Sequence, residues 1–132
     1  MSRGGVDFTG IGVKYATFEA AGSVSAAFLA SGANGVEGKA VTITGNSQAG
    51  FGSAGNPLLG KILKYEDDDL MTVQYAGYAE MPGVSGTMPT AGNYLVVNGS
   101  GAVQASTGAT GPAKAVSVDS SANVNTVVVL IG

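Results

Sequence analysis

The stretch KILKYEDDDLMTVQYAGYAEMP, residues 61–82, decides how this chain is read. Two apolar-rich runs flank an acidic knot, Glu66, Asp67, Asp68 and Asp69. In the second run Met71, Val73, Tyr75, Ala79 and Met81 fall on odd positions. Thr72, Gln74, Tyr78 and Glu80 fall on even ones. A period of two held over this length is the pattern of a β-strand with one buried face. In the first run Leu63 and Tyr65 share one parity and Ile62 has the other. Pro82 has no N–H for a ladder, so the strand is expected to stop there. The knot then reads as the wet tip of a hairpin. Neighbouring residues of a strand point to opposite faces, so four consecutive carboxylates do not converge, and the run lacks the spread ligands, the glycine and the distal glutamate of a calcium loop.

The same grammar recurs on both sides. Residues 13–20 alternate moderately and read as a first strand. Residues 38–45 carry Val41, Thr42, Ile43 and Thr44, three of them valine or threonine and all branched at Cβ, between glycines. Residues 46–57 read as a long turn region. Residues 94–97 and 102–105 flank Asn98-Gly99-Ser100-Gly101, which tolerate the positive φ of tight turns. Residues 115–118 and 126–131 repeat the device, and the last run is almost wholly apolar, as a central strand should be. Residues 21–35 have the alanine content of a short helix. The alternation of Ser23, Val24 and Ser25 and the glycine punctuation favour an irregular strand and loop. Short strands every 8–12 residues with turn chemistry between them point to an all-β small barrel or sandwich. Residues 1–13, with Gly4, Gly5, Gly10 and Gly12, read as an extended N-terminal arm, and residues 14–132 as one domain.

Composition narrows the function. The chain has 132 residues, enough for one domain with a substantial core. Cysteine and histidine are absent, which removes thiol nucleophiles, thiolate and imidazole metal sites, and the usual proton shuttle at neutral pH. Tryptophan is absent too. Six basic residues, Arg3, Lys14, Lys39, Lys61, Lys64 and Lys114, are scattered and trace no phosphate backbone, so nucleic acid is not an expected partner. No run reaches the ~18 apolar residues of a membrane helix, and MSRGGVDFTG has no apolar core of a signal peptide. No membrane partner is expected. Glycine is 22 residues and net charge only −3, with a positive mean hydropathy of +0.27. Such a surface is poorly protected against association and suits a protein that sits against neighbours.

Paired-carboxylate hydrolysis needs two acids facing a cleft. Glu19, Glu37, Glu80 and Asp119 are the isolated acids of residues 14–132, and nothing in the sequence marks a pair among them. GNSQAG, residues 45–50, lacks the spacing of a nucleophile elbow. SGANGVEGK, residues 31–39, lacks the glycine spacing of a phosphate loop, and Ala40 stands where a hydroxyl residue should follow Lys39. Both read as loops. The aromatic residues read mostly as core, with Phe8 in the arm as a plausible anchor. A glycine-rich arm can lie along another chain's sheet edge and exchange main-chain hydrogen bonds.

The run VEGKAVTITGNSQAGFGSAGNPLLGKILKYEDDDLMTVQYAGYAEMP resembles the central segment of tailed-phage capsid decoration, or cement, proteins. The shared pattern is a GKAV strand, a glycine-rich bend, an LLGKIL strand, an acidic turn and a VQYAGYAE strand. PTAGNYLVVNGSGAVQAS is similar to the family's following hairpin at Pro89, Gly92, Leu95, Val97, Gly99, Gly101 and Val103, and residues 113–132 to its closing hairpin. The likeness spans residues 36–132. It implies a β-tulip or jelly-roll-like domain without enzyme activity or cofactor, made in the host cytoplasm and residing in the virion on the outer capsid surface. The implied partners are the major capsid protein and copies of itself, as a dimer or trimer. Arg3, Phe8, Ile11 and Val13 are the expected capsid contacts. Two other readings stand beside it: a virion- or cell-surface module binding a receptor or carbohydrate through Tyr78 and Tyr94, and a small hydrolase, disfavoured by the missing histidine and cysteine.

Overall fold

The structure is a computed structural model that describes residues 2–3, 6–7, 13–66, 69–84, 87–106, 113–119 and 125–131; the side chains of residues 2, 3, 6, 7, 33 and 34 are left aside. It is mostly β. In chain order the strands are β1 (Ser2–Arg3), β2 (Val6–Asp7), β3 (Lys14–Ala20), β4 (Ala40–Gly45), β5 (Gln48–Gly50), β6 (Gly60–Tyr65), β7 (Leu70–Pro82), β8 (Leu95–Val97), β9 (Val103–Ala105), β10 (Ala113–Asp119) and β11 (Thr126–Ile131). One helix, α1 (Gly22–Ser31), lies between β3 and β4 and runs into a 3-10 turn, Gly32–Gly35.

The hairpin expected around the acidic knot is present, and β7 is the spine of the molecule. Its first half pairs antiparallel with β6 on one edge (Ile62↔Val73, Tyr65↔Met71) and with β3 on the other (Ala16↔Val73, Phe18↔Met71). From β3 the sheet continues through β5, in parallel, and then β4 and β6, which returns to β7. The result is a closed five-stranded barrel with extra strands attached. The second half of β7 pairs instead with β11, from Gly77↔Ile131 to Thr126↔Pro82, and β10 lies outside β11. As expected, the strand ends at Pro82 and the apolar β11 is central.

A bulge separates the two halves. Lys14 pairs with Ala76 while Tyr15 pairs with Gln74, so Tyr75 has no opposite residue and projects outward, 39% exposed. The buried Gln74 side chain spans the irregularity: its Nε2 donates to the carbonyl oxygens of Ala76 and Tyr78 at 3.1 and 3.0 Å. These bonds give the buried amide its partners within the same strand. Gly77, with φ +91°, completes the bend.

Each half of β7 feeds its own core. Met71 and Val73 join Val24, Val36, Val41, Ala49 and Ile62 inside the barrel. Ala79 and Met81 join Leu58, Leu95, Val97, Val103, Val127 and Val129 in a second core, which the β8–β9 hairpin covers. That hairpin turns as its sequence predicts. Asn98 Oδ1 accepts from the N–H groups of Ser100 and Ala102, and Gly99 and Gly101 hold φ of +93° and +95°. In β6 a bulge between Ile62 and Lys64 breaks the simple parity, so Ile62 and Tyr65 are both buried and Leu63 is turned out.

Two expectations are corrected. Residues 21–35 form α1 and a 3-10 turn, not an irregular strand. Val24, Ala27 and Phe28 recur at helical spacing and pack on the barrel core, so tertiary contact and alanine propensity outweigh the local serine alternation. The turn region of residues 46–57 contains β5, whose three residues bridge β3 and β4 to close the barrel. The aromatics divide: Phe51 and Tyr65 are buried and Phe18 and Phe28 pack against the barrel core, whereas Tyr15 is 63% exposed and Tyr75 is turned out by the bulge. In the arm, Ser2–Arg3 and Val6–Asp7 pair with each other as a minimal hairpin.

Candidate interaction surface

The four arm positions expected to contact a capsid are only partly described. Arg3 pairs through its backbone with Val6. Phe8 and Ile11 lie outside the described residues. Val13 is half-buried directly before β3.

Two of the four carboxylates of the acidic knot are described, and they have separate surroundings. Asp67 and Asp68 lie outside the described residues, and Glu66 is exposed, its Oε1 3.8 Å from Lys64 Nζ. A solvated pair of this kind contributes at most about 1 kcal/mol. Asp69 has a different task. Its Oδ1 accepts from Tyr65 Oη and Ser25 Oγ, both at 2.9 Å, and its carbonyl accepts from Ala20 N–H at 2.7 Å. Asp69 therefore ties the hairpin tip to β3 and to α1, whose Phe28 ring stacks on Tyr65 at 4.3 Å between centroids. It reaches these positions at φ +59°, a conformation aspartate tolerates better than most residues. Among the described residues, no three His, Cys, Asp or Glu side chains cluster as a metal site.

The structure does bring together two of the four isolated acids. Glu37, in the loop before β4, and Glu80, on the second half of β7, line one open groove of about 300 Å³. Lys39 and Lys61 share it, and Gly38, Pro82, Thr126 and the fully buried Met81 complete the lining residues. None of these four charged groups forms an ion pair with another described residue. The groove lies where the barrel strands β4 and β6 meet the β7–β11 pair of the second core. The sequence offers no signal for this meeting, because it depends on β7 crossing from one core to the other. Glu19 lies elsewhere, with its Oε1 3.4 Å from Gln48 Nε2, and Asp119 ends β10.

The two loop motifs take ordinary places. Ser47 sits in the two-residue turn between β4 and β5 at φ +56°. Residues 31–39 leave the C-terminal end of α1 and enter β4, the reverse of the strand-to-helix order in which a phosphate loop works. Tyr78 and Tyr94, the aromatic residues singled out for a glycan platform, are both half-buried. Among the described residues the most exposed large apolar side chains are Leu29, Tyr15 and Ile43, at 85, 63 and 62%. No described helix is long and apolar enough to cross a membrane.

Compared with known protein families and with curated proteins, the chain has no significant match.

Proposed function

We propose that this chain is a structural protein without enzyme activity that binds the outside of an expanded bacteriophage capsid and steadies it against the pressure of packaged DNA by bridging major capsid protein subunits. The observation that carries the reading is the order of elements over residues 36–132. The GKAV strand is β4, the LLGKIL strand is β6, the acidic turn leads into the VQYAGYAE strand β7, and the two closing hairpins are β8–β9 and β10–β11. This is the sequence of strands and turns on which the resemblance to decoration proteins rests. The surface chemistry supports it: few charges, many glycines and exposed apolar side chains favour broad adhesion over chemistry on a small molecule. Many copies, each with a modest footprint on several subunits, add up to a large gain through multivalent attachment.

The arm, residues 1–13, is the proposed docking element, with Arg3, Phe8, Ile11 and Val13 as its contacts and the protein acting as a dimer or trimer on the shell. The test is co-sedimentation with expanded, empty capsids of the phage that encodes the chain. The full chain is expected to bind saturably. A variant lacking residues 2–12 should melt like the full chain and no longer bind. Absence of binding by the full chain up to about 100 µM, an affinity too weak for a stable attachment, overturns the proposal. Undiminished binding by the truncated chain removes the arm from it.

A further inference from the structure

Four charged residues of a sparsely charged chain, Glu37, Lys39, Lys61 and Glu80, gather at one groove and none is paired with another described residue. Lys39, Lys61 and Glu80 are half-buried, so each has given up part of its hydration without an ionic partner in return. We propose that this groove is a docking site for an extended partner segment carrying one acidic and one basic side chain. This rests on the decoration reading, under which the segment belongs to the major capsid protein. The inference adds a second contact surface, on the body of the domain and separate from the arm.

Charge complementarity selects this occupant. Two ammonium groups and two carboxylates offer both signs, so an anionic polymer such as nucleic acid meets repulsion from Glu37 and Glu80 as it approaches the lysines. A second copy related by a two-fold axis at the groove brings the same concave face, and two hollows placed mouth to mouth leave the space unfilled. The volume of about 300 Å³ is at the small end of binding cavities and admits a couple of side chains, not a folded element. The floor suits such a segment. Gly38 contributes no side chain, and the half-buried Pro82 supplies apolar surface beside the charges. The polar rim sets register and association rate, and the floor adds contact area.

The experiment uses the full chain and the same expanded capsids. Wild type is compared with Lys61→Glu and with the double exchange Lys61→Glu, Glu80→Lys, which keeps the net charge unchanged. Thermal melts confirm that each variant is folded. Wild-type affinity is expected to fall as salt rises from about 50 to about 500 mM. Lys61→Glu is expected to bind about 10-fold more weakly, mainly through slower association. The double exchange should also be weakened, because the partner's charges now face the wrong sign at both positions. If the wild type binds and both folded variants match it, the groove is not the site and the decoration reading stands. If the wild type does not bind at all, both fail. A change confined to self-association, with capsid binding intact, assigns the groove to a second copy and overturns the occupant proposed here.

Discussion

Replacing Gly60 with alanine tests how the barrel closes. Gly60 opens β6, where that strand comes against β7 and completes the ring of strands. A Cβ at this position falls 1.8 Å from the carbonyl oxygen of Gln74 and 2.8 Å from its carbonyl carbon. The closest comfortable carbon–oxygen approach is about 3.3 Å, so β6 and β7 must part by roughly 1.5 Å. The obstacle is backbone, so no rotamer change relieves it. Such a separation carries nearby hydrogen bonds beyond useful length, each contributing about 1 kcal/mol net. Steric strain in a packed interior adds about 1–3 kcal/mol. Gly60→Ala is therefore expected to cost about 3–4 kcal/mol, a large share of the ~5–15 kcal/mol that typically holds a domain together. For a chain of this length that lowers Tm by roughly 10 °C. Circular dichroism melts and guanidinium titrations measure it. Gly22→Ala is the control: nothing lies within 4 Å of its Cβ at the start of α1. That change should stabilise by about 0.5–1 kcal/mol. A Gly60→Ala protein melting within about 2 °C of wild type refutes the close approach of β6 and β7.

Gln74→Met keeps the side-chain volume but removes both hydrogen bonds across the bulge, and is expected to cost about 2 kcal/mol in guanidinium titration. Asp69→Ala removes the acceptor shared by Tyr65 and Ser25 and places alanine at φ +59°; a loss of about 1–2 kcal/mol in thermal melts is expected, while Asp69→Asn, which tolerates that backbone, should lose less. Met81→Ala empties part of the second core and should cost about 3 kcal/mol, read from the same titrations.

Elements whose signal is local were legible in the sequence. The alternation of β7, the Asn98–Gly101 turn and the apolar run of β11 each state their own conformation. What escaped depends on distant partners. β5 has three residues and exists because β3 and β4 flank it. Helix α1 carries no charges and no side-chain N-cap, and is defined by the face that Val24 and Phe28 present to the barrel. Tyr75 obeys the odd parity in the sequence and breaks it in space, because the bulge falls between Gln74 and Ala76. The role of Asp69 was hidden for the same reason: one of its two side-chain donors, Ser25, is 44 positions away. Glu37 and Glu80 are almost as far apart in sequence, and no spacing rule links them.

The sharing of β7 between two cores also governs how the chain must assemble. β3 is made early, yet its longest partner is Leu70–Pro82, so at synthesis rates of about 5–20 residues per second it waits several seconds for that strand to emerge. Neither core is complete without β7, and β11, made later than β7, seals the far half of it. Folding is therefore expected to be late, slow and all at once, with no stable half-molecule along the way.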